Sequence, residues 1–199
     1  MLFAMKKHMN LKSETFLVAA LLVFGLTGVS AKDFTAFELI TEGNRYVGEP
    51  AKDKISQIRS EKSIGGLQPN IWYIVYFDPT ASMKATEVKF GAGQMLETKR
   101  PFRLFERAGA GDKIMDRDKL KTDSDKAIDI ASKQPLLEKL TLKATRLELE
   151  KRDGAPTWQV RIWAAKLDNP NKDVDIGDVY INAEDGKVTK TDLHINRVD

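Results

Sequence analysis

The sequence predicts an α+β protein built from two units, each a helix packed on a small antiparallel sheet. Three observations lead there. First, Trp158, Val160, Ile162 and Ala164 alternate on one face of a strand, Val179 and Ile181 alternate again, and Glu184-Asp185-Gly186-Lys187 turns tightly into Val188. An Asp-Gly step between alternating apolar residues is a strong short-range hairpin signal. Second, two stretches carry a helical apolar stripe: Ala51, Ile55 and Ile58 within residues 51–61, and Ala127, Ile128, Ile130 and Ala131 behind the cap Asp123-Ser124-Asp125. Third, the order of features recurs. Trp72–Val75 stands where Trp158–Arg161 stands, and Glu87-Val88-Lys89-Phe90 where Asp178-Val179-Tyr180-Ile181 stands. The boundaries that follow are residues 32–110 for the first unit and 111–199 for the second, with the flexible Ala108-Gly109-Ala110-Gly111 run between them; the alternative is that this run is a long surface loop within one domain.

Residues 1–31 read as a secretory signal peptide. Lys6, Lys7 and Lys12 precede the apolar run 16–29, and Val29-Ser30-Ala31 offers small residues for cleavage. The run is short for a membrane span, the alternative being an uncleaved N-terminal anchor. The whole chain carries 32 Lys and Arg against 29 Asp and Glu; without the leader's three lysines and Glu14, 29 cations face 28 acids. The apparent basicity belongs to the leader, so no field that would steer nucleic acid or an anionic membrane is implied. The expected location is the periplasm or the medium, with no membrane attachment after cleavage. The chain has no Cys. A disulfide framework and a lipid-anchoring cysteine are therefore both excluded, and packing alone must hold the mature domain.

In chain order, Phe34, Phe37 and Ile40 predict a short helix that Gly43 ends. Pro50 suits the first turn of a second helix over 51–61. Residues 71–77 (IWYIVYF) form the most apolar strand; Ile71, Tyr73, Val75 and Phe77 face one way and Trp72, Ile74 and Tyr76 the other. Strands at 85–90 and 94–98 follow, with Gly91-Ala92-Gly93 turning between them. After the helix at 124–131, closed by Pro135, residues 140–151 alternate through Leu140, Leu142 and Ala144 and change parity at Arg146, which predicts a bulge. Asp153-Gly154 turns into the Trp158 strand.

The second half resembles the PepSY family. The resemblance rests on the capped helix Asp123–Ala131, on Trp158-Gln159-Val160-Arg161-Ile162, and on Val179-Tyr180-Ile181-Asn182-Ala183 followed by Asp185-Gly186-Lys187-Val188. Asn182 stands where that family usually has Asp. The resemblance covers about residues 120–193, and in the first half Gly91-Ala92-Gly93 replaces the Asp-Gly hairpin. It implies an exported binding module without catalytic residues, whose partner is a protein or peptide, an exported peptidase among them. It implies no cofactor.

Candidate sites are few. His194 is the sole histidine beyond the leader, so neither a His/Cys metal site nor a histidine relay can be assembled. Asp168, Asn171, Asp173 and Asp175 belong to an oxygen-rich loop, the alternatives being a weak Ca²⁺ site and a solvated turn. Counted from Asn169, Val174 takes the place of the sharp-turn Gly and Tyr180 that of the bidentate Glu. The aromatic residues Trp72, Tyr76, Trp158 and Trp163 are the expected binding residues, seating an extended peptide beside an open strand edge, with core packing as the other reading. The alternative functions are a small-ligand carrier, which a deep apolar pocket beneath the helices would favour, and an enzyme, which would need convergent carboxylates in a concave pocket.

Overall fold

A computed structural model describes residues 34–100, 113–167 and 169–198. The leader, the 108–111 run and Asp168 therefore lie outside the described residues. Among those described, no helix is long and apolar enough to cross a membrane.

The chain forms helix α1 (Ala36–Gly43), strands β1 (Ile55–Ser60), β2 (Ile71–Phe77), β3 (Ala85–Gly91) and β4 (Gln94–Lys99), helix α2 (Ser124–Ser132), and strands β5 (Leu140–Arg152), β6 (Ala155–Lys166), β7 (Val174–Asn182) and β8 (Val188–Leu193). All eight strands join one antiparallel sheet in the order β4-β3-β2-β1-β5-β6-β7-β8. This corrects the expected fold class. Among the described residues the fold is mainly β, with two short helices on a single continuous sheet, and not an α+β pair of helix-on-sheet units. The physical reason is that β1 and β5 would each have been an unpaired edge. They pair with each other, Gln57, Arg59 and the Ile58 between them facing Glu150, Glu148 and Leu149, so both edges are satisfied.

A second correction concerns residues 51–61, expected to be a helix. Pro50 does start a helical turn, but only the 3₁₀ turn Glu49–Ala51, and β1 follows. Ile55 and Ile58 are both fully buried although three positions apart. The register slips between Ile55 and Gln57, so Ser56 is an extra residue that resets the alternation. A bulge has thus put a helical spacing on one face of a strand.

The other elements follow their local chemistry. Thr35 caps α1 in a reciprocal box with Glu38, and Asp123 caps α2. Asp153-Gly154 and Ala92-Gly93 both hold positive φ (51° and 85°; 48° and 77°), the geometry of tight hairpins. The bulge expected near Arg146 lies at Lys143 instead, between Leu142 and Ala144. Gly177 in β7 has φ 115°, and a Cβ there would stand 2.1 Å from the carbonyl oxygen of Asp192; only glycine lets β8 approach so closely.

Both helices pack on the same side of the sheet. Their buried residues, Ala36, Leu39, Ile40, Ala127, Ile128 and Ala131, share one core with Ile58, Trp72, Ile74, Val88, Phe90, Leu147, Leu149, Trp158, Val160 and Ile162. The helices also meet at their N-termini. The amide of Ala36 donates to Ser124 Oγ at 3.0 Å, and that of Phe37 to Asp123 Oδ1 at 3.1 Å. Asp123 also takes the Ser124 amide at 2.6 Å. One carboxyl thus serves orphan donors of two helices. Burial is the largest influence on it and raises its pKa, against the lowering effect of the hydrogen bonds from Thr35, Ser124 and Phe37.

Candidate functional site: the open face of the sheet

The face opposite the helices carries the alternate residues of every strand, mostly polar, charged or aromatic, around a small buried apolar patch of Val75 and Ala85. The pairing aligns one from each strand into a transverse row: Glu97, Lys89, Tyr73, Arg59, Glu148, Gln159, Tyr180 and Lys190 on β4, β3, β2, β1, β5, β6, β7 and β8. With strands roughly 4.8 Å apart, Tyr73 and Tyr180 stand about 19 Å from each other, four strands across.

Each tyrosine lies between two cations. Arg59 sits 4.0 Å and Lys89 5.2 Å from the centre of the Tyr73 ring. Arg152 and Lys190 lie 5.5 Å and 5.3 Å from that of Tyr180. Such cation–π contacts hold the rings and the flexible side chains in place while leaving both half-exposed. Lys62 covers Trp163 in the same way at 4.7 Å.

The charges of this face are mostly paired. Arg161 forks onto Asp178, Nε to Oδ1 at 3.0 Å and Nη2 to Oδ2 at 2.9 Å, with Asp175 3.7 Å away. Burial alone would raise the Asp178 carboxyl. The hydrogen bonds from Arg161 and Gln159 and the nearby charges of Arg161 and Arg146 outweigh it and hold the pKa below the usual carboxylate value. Arg59 bonds Glu87 at 2.5 Å. Arg152 reaches Gln159 at 2.7 Å and Glu150 at 2.8 Å. Tyr73 donates to Glu61 at 2.7 Å, and Gln57 Nε2 to Glu148 at 2.8 Å.

A groove of about 490 Å³ runs along the β1–β5 seam on this face. It covers the paired stretch from Gln57 to Arg59 and continues past it, where the backbone pairing of β1 with β5 ends. Beyond that point serine side chains replace the ladder: the Leu147 amide donates to Ser60 Oγ and the Thr145 amide to Ser63 Oγ, both at 2.9 Å, while the Ser63 amide reaches the Thr145 carbonyl at 2.8 Å. The carboxylates lining the groove, Glu61, Glu148 and Glu150, are each engaged by a neighbour as described.

No protein-family model matches this chain, and no curated protein or solved structure matches it significantly.

Of the aromatic residues expected to bind, Trp72, Tyr76 and Trp158 are core residues, 2%, 0% and 0% exposed. Their polar atoms are engaged internally: Trp72 donates to the Pro69 carbonyl, Tyr76 to that of Ile40 and Trp158 to that of Thr122, at 3.0, 2.9 and 2.8 Å. Only Trp163 stands on the open face. The residues that do line it are Tyr73, Tyr180, Arg59, Arg146 and Arg152; parity set Tyr73 apart from Trp72 and Tyr76 and placed Tyr180 with Asp178, while Arg59 carried no such signal because its segment reads as a helix.

In the oxygen-rich loop, Asp173 pairs with Lys62, and Asp175 takes the Gly177 amide at 3.0 Å. Asn171 is exposed. Among the described residues no group of three or more His, Asp or Glu side chains converges as metal ligands would. His194 is exposed at the end of β8, 3.3 Å from Asp192. An apolar cleft of about 600 Å³, lined by Leu136, Leu140, Leu167, Ile195 and Val198, lies where the C-terminal 3₁₀ turn meets the segment after α2.

Proposed function

We propose that the protein is an exported, non-catalytic module that binds a protein or an extended peptide on the open face of its sheet. The observation that supports this best is the transverse row with its two cation-flanked tyrosines. Tyr, Trp and Arg are the side chains that most often anchor protein interfaces, because they offer large contact area at little entropic cost and can also hydrogen-bond. Here they are held in register by a rigid sheet, so little ordering remains to be done on binding. The groove carboxylates are occupied by structural partners, which favours a gripping surface over acid–base chemistry. The partner class to which the sequence resemblance points is an exported peptidase, restrained or chaperoned by this surface.

The test is selection of peptides from a displayed random library, followed by fluorescence anisotropy of the selected sequences. Tyr73→Ala combined with Tyr180→Ala is expected to weaken them ten-fold or more, the scale of two modest anchor residues. Recovery of no peptide above background, or equal binding by the double variant, would refute the reading.

A further inference from the structure

We infer that the seam groove recognises a segment of extended peptide bearing an acidic side chain, and that Arg146 is the residue that reads the acid. The inference rests on the binding role proposed for the open face and names the chemistry of its ligand.

Three observations meet in this groove. The first is a cation left over. Arg59, Arg152 and Arg161 each hold a carboxylate. Arg146 lines the groove, is exposed, and makes no hydrogen bond or ion pair among the described residues. It stands directly opposite Arg161 in the β5–β6 register. Like charges facing one another across a sheet are unfavourable, and the two carboxylates nearest Arg161, Asp178 and Asp175, are already turned to that residue. A ligand carboxylate would relieve the repulsion, with Lys113 as a second cation on the groove wall.

The second is a buried acceptor without a donor. Gln57 is 9% exposed, lines the groove, and has no partner for Oε1. Its orientation is fixed, because Glu148 only accepts and so draws the amide nitrogen. The third is a buried donor without an acceptor, Nε of Arg152, also on the groove wall. Both atoms are closed off from the groove as they stand, and a small outward turn of the two side chains onto the N–H and C=O of a peptide backbone would relieve the cost of leaving them unpaired. The groove extends along β5 from Arg146 to Arg152, about 20 Å at roughly 3.3 Å per residue, the length of some six residues in extended form. The backbone would lie along the seam, with its acid at the Arg146 end.

The experiment is a titration followed by amide chemical shifts of the isotope-labelled protein. The probe is the N-acetylated, C-amidated nonapeptide Gly-Thr-Tyr-Thr-Xaa-Thr-Tyr-Thr-Gly with Xaa as Glu, Gln or Lys, so that Xaa carries its only charge. The Glu peptide should bind three- to ten-fold more tightly than the Gln peptide, with shifts along β1 and β5. Arg146→Gln should abolish that preference, and Arg146→Glu should transfer it to the Lys peptide, a reversal that general loss of folding would not produce. Equal binding of Glu and Gln peptides would overturn the inference while leaving peptide binding itself intact. Absence of shifts in the groove with every peptide would overturn it too, and the tyrosine-dependent selection above then decides the broader reading separately. Arg146-dependent binding of an oligogalacturonate, without binding of the Glu peptide, would replace the peptide by an acidic glycan.

Discussion

Replacing Ser60 and Ser63 by alanine tests whether the junction between β1 and β5 is held by side chains where the backbone ladder ends. Ser60 is 6% exposed and Leu147 1%. Ser60 Oγ accepts the Leu147 amide at 2.9 Å, so Ser60→Ala removes the acceptor without giving the amide another. Leaving one buried backbone donor unpaired costs about 1–3 kcal/mol. The groove runs beside this position, and water entering it would bring the cost toward the lower end; about 1.5 kcal/mol is expected. Ser63→Ala removes the acceptor of the Thr145 amide and also the hydroxyl bond to the Gly66 carbonyl, at 2.9 and 2.6 Å, for about 2 kcal/mol. The two serines serve different amides, so the double variant should lose about 3.5 kcal/mol, which a domain of ordinary stability survives. Urea unfolding followed by the fluorescence of the buried Trp72 and Trp158 measures this, with the midpoint falling and the slope unchanged. Stabilities within about 0.5 kcal/mol of the native protein for both single variants would refute the argument, because no buried donor would then depend on these hydroxyls.

Two further predictions concern buried carboxyls. The Asp178 carboxyl is held below its ordinary pKa in the folded protein, so its pairing with Arg161 contributes stability above the unfolded-state value near pH 4 that is lost as pH falls through the folded one; Asp178→Asn should lower the melting temperature at pH 7 and flatten its fall between about pH 4 and 2, and an unchanged acid limb would count against the pairing. Asp123 accepts amides of both helices, so Asp123→Ala should cost about 1–2 kcal/mol while Asp123→Asn, which keeps the oxygen, retains most of it; equal losses in urea unfolding would show that the shared cap contributes little.

Much of the strand set was legible in the sequence because local chemistry determines it. The Asp153-Gly154 and Ala92-Gly93 hairpins, the capped helix after Asp123 and the alternation around Trp158 all declare themselves within a few residues. Two things did not. Ser56 makes β1 look helical, since a bulge places Ile55 and Ile58 on one face at a helix's spacing. And the pairing of β1 with β5 has no local signature at all: nothing in either strand says that its edge partner lies in the other half of the chain, so the expectation of separate units was a natural consequence. The site was half legible. Alternation already separated Tyr73 from Trp72 and Tyr76, but weight of apolar area favoured the larger side chains, which are the ones a core claims. The unpaired state of Arg146 depends on where Asp178 and Asp175 point, and that only the assembled sheet decides.

The seam also orders the folding of the chain. Hairpins β2–β3, β3–β4, β5–β6, β6–β7 and β7–β8 close over short separations, whereas Gln57 meets Glu148 across 91 positions and Ala36 meets Ser124 across 88. Closing a loop of that size costs about 2 kcal/mol more than closing one of ten residues, so the two meanders are expected to zip up before they join, an order that pulsed hydrogen exchange would show as late protection of the β1 and β5 seam amides. Until they do, β1 and β5 each present a bare, adhesive margin, and the interval before closure is when another copy of the chain competes for the place that its own second half will fill.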